Sequence, residues 1–373
     1  MIKAINVISD SNIGGAGRML LTFMRNYDRK RIDMTVLLPS GAMLIPELES
    51  LGIRCITDPG LSEKSYDASA TKRLKRLFKD EKPDIVHTHA SMSARIAAKS
   101  IGCKIVYSRH SVFPNSALKT HFPLKQVFGF INNHYADAVI AVSPAAAELL
   151  IEAGQDPQKV SVIYNGVDPL RKPDEEQRKS IRSEYNLGES DFVCGIFARL
   201  TPVKGHEYIL QAASHLKHES NIKFVIAGTG EIENELIKQA NEMDLRNVVF
   251  SGFLSDVEGL MSACDLQLNA SYGTEATSLA LLEGMSIGIP AIASSFGGNP
   301  YVISHGENGF IVPERDAKAL SDAISDVYRD NELYSVLSGN AVMIFNDKFT
   351  AAKMTSDIET LYFELLCDSE TTQ

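Results

Sequence analysis

The chain has 373 residues, 44% hydrophobic and 23% charged, with five cysteines and a formal net charge of −10. That length suits two domains of roughly 100–200 residues with sizeable cores, and the composition excludes a disordered chain apart from the last residues, 368–373. No apolar run reaches the about 18 residues of a membrane span, and five scattered cysteines argue against a disulfide framework or a zinc finger and read mostly as buried small hydrophobes.

Strand-like and helix-like segments alternate from the first residue. Residues 1–9 read as a strand and lack the zones of a signal peptide, so a cytoplasmic location is expected. Predicted strands over 4–8, 34–38, 85–87, 104–108, 138–142 and 160–163 include continuous apolar runs, as for parallel strands covered on both faces. Helices are predicted at 17–25, 71–80 and 144–153. The polar, proline-punctuated stretch from Asp168 to Glu176 reads as a linker.

A second series follows, with strands at 192–197, 223–227, 248–251, 266–269, 291–293 and 309–312 and helices at 206–217, 232–243, 256–263, 277–286 and 317–328. A terminal helix at 351–366 is expected to pack back on the first domain. The fold class is therefore α/β: two Rossmann-like domains, 1–168 and 169–348, facing each other across a cleft, with a C-terminal helix in 349–373. Residues 1–168 carry 21 Lys+Arg against 16 Asp+Glu, whereas residues 169–373 carry 16 against 31. A basic first half and an acidic second half suggest different partners.

Three loops carry candidate chemistry. In the first, Gly14, Gly15 and Gly17 follow strand one and open a helix. Such glycines let backbone amides approach a phosphate, or simply make a tight turn; the spacing is not that of a dinucleotide fingerprint. In the second, Arg199 and Lys204 lie between a strand and a helix, at the carboxyl end of a parallel sheet. There they would clamp a diphosphate, or stand as two solvated cations. In the third, Glu275 precedes a helix that Thr277 or Ser278 can cap, and Glu283 lies eight residues further on. Leu279 to Leu282 make that helix apolar nearly all round, so it should be buried, and a buried Glu283 needs a partner. The alternative is a dipole-favoured Glu275 and a surface Glu283.

The Glu-x7-Glu pair stands among Gly228-Thr229-Gly230-Glu231, Ser251-Gly252-Phe253, Gly288-Ile289-Pro290 and Gly297-Gly298. With Arg199 to Gly205, His87-Thr88-His89 and Asn165-Gly166-Val167-Asp168 in order, the chain resembles glycosyltransferase family four, retaining enzymes of the GT-B fold. The resemblance implies a nucleotide-sugar donor, with uridine diphosphate the commonest carrier, and transfer of a hexose or N-acetylhexosamine to a polysaccharide or lipid-linked glycan acceptor. It also implies roles. Arg199 and Lys204 neutralise the leaving diphosphate in place of a metal ion, since no Asp-x-Asp triplet occurs, and no cofactor is needed. Glu283 binds the ribose; Glu275 and His110 meet the donor sugar; Gly14 and Gly15 face the diphosphate. Thr277, Ser278 and Leu279 offer amides, while Gly228, Gly252 and Phe253 line the base pocket. The family pattern is broken at Ala276-Thr277-Ser278, where glycines and an aromatic are usual, and at Asn299-Pro300-Tyr301, where a glutamate is usual. Side chains at Ala276 and Ser278 are expected to crowd the donor. A non-catalytic nucleotide- or glycan-binding subunit and a nucleotide-sugar epimerase of the same fold are the rival readings.

His87 and His89, two apart on a strand, could begin a metal site but lack a third ligand. Cleft polarity or acceptor contact is expected, with packed strand-end histidines the alternative. The basic run Lys72 to Lys79 reads as a solvated helix face. Residues 117–131 mix Lys119, His121 and Lys125 with Phe122, Leu124, Val127, Phe128 and Phe130, which suits an acceptor or the surface of an anionic bilayer at the inner face of the membrane. No nucleic-acid partner is expected of an acidic protein without an aromatic platform.

Overall fold

The computed structural model describes residues 1–61, 64–115, 120–254 and 256–370. The chain forms two compact units, Met1–Val167 with Ala351–Gln373, and Asp168–Thr350.

The first unit holds seven parallel strands: β1 (Ile2–Val7), β2 (Ile32–Pro39), β3 (Arg54–Asp58), β4 (Ile85–Thr88), β5 (Lys104–Arg109), β6 (Ala138–Ala141) and β7 (Val160–Val162). Their order is β3-β2-β1-β4-β5-β6-β7, so the winding reverses between β1 and β4. Alternate residues of β1 serve opposite layers. Ile2 and Ala4 join Leu20, Phe23 and Met24 of the Gly15–Asn26 helix. Ile5 and Val7 join Leu74, Phe78, Ala94 and Ala97 on the other face.

The terminal helix, Ala351–Glu370, belongs to this unit. Met354, Ile358 and Tyr362, four apart on one helix face, enter the first-face core. Glu359 accepts from the amide of Asp28 at 2.7 Å.

The second unit holds β8 (Phe192–Phe197), β9 (Ile222–Ala227), β10 (Val248–Gly252), β11 (Leu266–Asn269), β12 (Ala291–Ser294) and β13 (Gly309–Val312). Their order is β10-β9-β8-β11-β12-β13, with the reversal between β8 and β11. Ile209, Leu210, Leu320, Ile324 and Leu337 pack on one face of this sheet.

Four sequence expectations are corrected. The strand β3 was not predicted, because it lies at the sheet edge and only Asp58 of its five residues is buried. Nor was the Asn331–Lys348 helix, whose buried stripe is only Leu337, Ala341 and Phe345. The end of the expected linker is helical: Asp174 and Gln177 form a capping box opening the Glu175–Glu184 helix. Of the five cysteines, all free, only Cys194 and Cys264 are buried. Among the described residues, no helix is long and apolar enough to cross a membrane.

Candidate functional site

The candidate residues of each unit lie at the carboxyl ends of its strands, the Lys204 and Glu275 loops after the two that flank the reversal of strand order and others after the neighbouring β5, β9 and β10. Diverging crossovers leave a crevice there, which is where open α/β sheets take ligands.

In the second unit the two strands are β8 and β11. After β8 the chain makes a 3-10 turn at Pro202–Lys204 and passes through Gly205 at φ +71° into the His206–His215 helix. A Cβ on Gly205 would stand 2.1 Å from the Ala270 carbonyl oxygen, so only glycine lets this loop lie against the end of β11. The amide of Tyr272 donates to Val203 O at 3.0 Å, locking the two loops together. Lys204 Nζ thereby reaches Glu275 Oε2 at 2.8 Å and Thr274 O at 3.4 Å. Asn269 Nδ2 at 3.1 Å and Ser271 Oγ at 3.0 Å donate to the same carboxylate oxygen, and Glu275 is only 8% exposed. Arg199, on the same loop, is exposed and makes no ion pair among the described residues.

Around this pair the backbone is closely stacked. Gly228, at φ +139°, would place a Cβ 2.1 Å from Ala198 O; its amide donates to Gly252 O at 2.9 Å. Phe253 follows with 71% of its surface exposed. A Cβ on Gly298 would meet Ala276 O at 1.8 Å, and its amide donates to Glu275 O at 2.7 Å. Ser278 is the N-cap of the Leu279–Ser286 helix and accepts from the amide of Leu281. Its hydroxyl is therefore turned onto its own helix, and Ala276 is buried. Thr277 is buried too, its hydroxyl on Ala276 O. Leu279, Ala280 and Glu283 are half-buried, so that helix is less enclosed than its apolar sequence suggests.

The sequence reading missed Asn269, Ser271 and Asn299. Asn299 is fully buried, and its Nδ2 donates to Asn269 Oδ1 at 3.4 Å and Ser294 Oγ at 3.2 Å. It was noticed only as the residue replacing a usual glutamate. Its place behind Glu275 is set by strand packing, not by spacing.

In the first unit the two strands are β1 and β4. Gly14 caps the Gly15–Asn26 helix without a side-chain bond, and a Cβ on Gly15 would meet nothing within 4 Å. Nothing in the unit's own packing demands glycine there. His87, His89 and His110 follow as one column of ring contacts, with centroids 4.5 Å and 5.1 Å apart. His87 is fully buried; its Nδ1 meets the Tyr362 hydroxyl and its Nε2 meets Ser108 Oγ, both at 2.7 Å. His87 is thus a packed strand-end histidine, not an acceptor contact. His89 bonds His110 Nε2 through Nδ1 at 2.8 Å and Asn6 Oδ1 through Nε2 at 3.1 Å. Burial pushes His87 down to about 3 and His110 to about 4, and holds His89 well below its ordinary range. Among the described residues, no cluster of three potential metal ligands of His, Cys, Asp or Glu type occurs.

The Ala68–Glu81 helix carries its basic run mostly outward, with Arg73 paired to Asp58 at 3.0 Å. Lys119 and the start of the expected 117–131 helix lie outside the described residues; the observed helix is Leu124–His134. It is inside out. Asn132, Asn133 and Gly129 turn inward: Arg95 donates to Asn132 Oδ1 at 3.3 Å, Asn133 Nδ2 donates to Gly154 O at 3.0 Å, and a Cβ on Gly129 would meet Gly154 O at 2.5 Å. Phe122, Leu124, Val127, Phe130 and Ile131 are exposed.

Two α/β units of parallel strands, with candidate loops at the carboxyl ends of each sheet, are the architecture of the GT-B glycosyltransferases. A model of "Glycosyltransferase Family 4" matches residues 13–171 and one of "Glycosyl transferases group 1" matches residues 177–342. The chain is 30% identical to an Escherichia coli UDP-Gal:alpha-D-GlcNAc-diphosphoundecaprenol alpha-1,3-galactosyltransferase, across 98% of this chain and 97% of that protein. It is 26% identical to the N-acetyl-alpha-D-glucosaminyl L-malate synthase of Bacillus anthracis, across 82% and 81%. Anabaena HepE, solved with UDP and glucose, superposes with a TM-score of 0.82 at 25% identity, across 97% of this chain and 99% of that one. The chain belongs to glycosyltransferase family 4 and is a hexosyltransferase-type enzyme.

Proposed function

We propose that this enzyme moves a hexose or N-acetylhexosamine from a uridine diphosphate carrier to a lipid-linked or cell-surface glycan, with retained anomeric configuration and without a metal ion. The observation that carries this reading is the Lys204–Glu275 pair at the β8/β11 switch point, with the exposed Arg199 on the same loop. The two cations stabilise the charge that grows on the departing diphosphate, where a preorganised group lowers the barrier most. The acceptor oxygen bonds to the anomeric carbon as the bond to the diphosphate oxygen breaks on the same face. That phosphate oxygen takes the hydroxyl proton.

Glu275, its Oε2 held by three donors, is fixed to take sugar hydroxyls through the rest of its carboxylate. Glu283 takes the ribose, the amides at Thr277, Ser278 and Leu279 take phosphate or sugar, and the Gly228–Gly252 backbone with Phe253 takes the base. From the first unit, Gly14 and Gly15 serve the diphosphate and His110 the donor sugar. The names of the Escherichia coli relative and of the UDP-bound Anabaena structure support the donor and acceptor classes. The inside-out helix supports delivery from a membrane. No Asp or Glu occurs between Val112 and Ala136, so its apolar face suits an anionic bilayer.

The test is a thermal-shift panel of uridine and guanosine diphosphates and their sugars, with and without EDTA, on the native chain and on Glu283→Ala. A selective uridine shift that survives EDTA and vanishes in the variant is expected. A shift that needs metal, or appears only with guanosine sugars, sinks the corresponding half. The anomeric coupling of product formed on undecaprenyl-diphosphate N-acetylglucosamine then reads retention directly.

A further inference from the structure

His110 ends a chain of hydrogen bonds whose direction is set two residues away, inside the sheet. Asn6, on β1, is fully buried. Its Nδ2 donates to Met34 Sδ, an acceptor with no hydrogen to give, and its amide also bonds the Tyr362 hydroxyl oxygen, so its Oδ1 faces His89 Nε2 at 3.1 Å. A carbonyl oxygen only accepts, so His89 carries its hydrogen on Nε2. A neutral imidazole has one donor and one acceptor, which leaves His89 Nδ1 bare. His110 must then donate to it from Nε2, at 2.8 Å. The remaining nitrogen, His110 Nδ1, is a lone pair shielded from solvent and without any hydrogen-bond partner. An unused buried acceptor calls for a partner, a ligand group or a bound water among them.

We propose that Asn6 and His89 are positioning residues that fix the tautomer of His110, so that His110 offers the donor sugar a hydrogen-bond acceptor and selects a hydroxyl at that point over a carboxylate. The inference rests on the reading that His110 meets the donor sugar. It narrows the donor class to neutral hexoses and N-acetylhexosamines and disfavours hexuronates, whose carboxylate would face the lone pair without a proton to share. His89 stacks on His87, which holds its ring in place, and meets His110 edge to edge, with ring centroids 5.1 Å apart and planes 29° from each other. The terminal helix contributes as well, since Tyr362 holds the far end of the column through His87.

The test has two parts. Long-range proton–nitrogen correlation spectra of the ligand-free protein, labelled at histidine, read the tautomer with no donor present. Native protein should show His110 protonated at Nε2 alone; a hydrogen on Nδ1 overturns the inference. Asn6→Leu frees His89 to reverse and should shift His110 toward the other tautomer, whereas Asn6→Asp keeps an acceptor and the native pattern. Calorimetric titration of UDP, UDP-glucose, UDP-galactose, UDP-N-acetylglucosamine and UDP-glucuronate then reads the consequence. UDP affinity should stay within twofold in Asn6→Leu, and a neutral sugar should keep its increment, because a hydroxyl can accept from the reversed ring, while UDP-glucuronate gains about three- to tenfold, the weight of one hydrogen bond donated to its carboxylate. In native protein UDP-glucuronate should gain nothing over UDP. No gain from glucuronate in Asn6→Leu, or tighter binding of UDP-glucuronate than of UDP by native protein, overturns the selection. The native tautomer with no UDP binding at all would instead sink the donor reading, leaving the relay standing. Should Asn6→Leu not fold, His89→Gln, which presents a freely rotating amide, takes its place.

Discussion

Replacing Lys204 by methionine isolates the pair on which the proposed chemistry stands. The side chain keeps its length and loses its charge, leaving Glu275 with two neutral donors, Asn269 and Ser271. At the observed 2.8 Å the gross Coulomb attraction is about 6 kcal/mol at an effective dielectric constant near 20. Desolvation offsets most of it, because the side chains are only 18% and 9% exposed. The net loss should be about 2 kcal/mol, in the range for hydrogen bonds to charged groups. For a unit of this size that lowers its melting temperature by roughly 6 °C. Glu275→Gln alone should cost about 1 kcal/mol, but in the Lys204→Met background it removes the orphaned charge. The double variant should then be no less stable than Lys204→Met, a coupling of about 1–1.5 kcal/mol. Urea unfolding of the four proteins, followed through the second unit's transition, measures this. Additive losses, or a Lys204→Met variant within 0.3 kcal/mol of native (about the additivity error), would refute the claim that the pair is energetically coupled.

Arg199→Ala should leave melting unchanged, because the side chain is exposed, yet lower the transfer rate constant about 10²–10³-fold by loss of charge stabilisation at the leaving group. Gly15→Ala and Gly205→Ala form a contrast. The first meets open space and should fold normally while weakening donor binding; the second must displace the Ala270 carbonyl and should cost upward of about 2 kcal/mol, read by denaturant midpoint. His87 is lowered to about 3 by burial, so the unfolded chain binds one more proton than the folded one between that value and its ordinary range. Its contribution to stability is therefore full above pH 6.5 and shrinks as pH falls, by about 1.4 kcal/mol per unit, and His87→Leu should flatten the pH dependence of the urea midpoint by that slope. Phe130→Asp should abolish sedimentation with anionic vesicles at low salt without altering circular dichroism, since the ring is 73% exposed.

Much of the fold was readable in the sequence because parallel strands covered on both faces must be apolar throughout. β1, β2, β8 and β9 announce themselves this way, and the helices between them carry a clear stripe. The edge strand β3 did not, since half its environment is solvent and its residues need not be apolar. Within the site, Arg199, Lys204, Glu275 and the glycines were visible because a strand–loop–helix order puts them at a sheet's carboxyl end. Which of them touch was not visible. Lys204 and Glu275 are 71 residues apart in the chain, and only the adjacency of β8 and β11 joins them. The same holds for Asn299, which backs Glu275 through Asn269, and for Tyr362, which reaches His87 across 275 residues. Sequence spacing decides what one element presents; the strand order decides which elements are neighbours. The direction of a hydrogen bond between two histidines is then decided by an asparagine that no spacing connects to them.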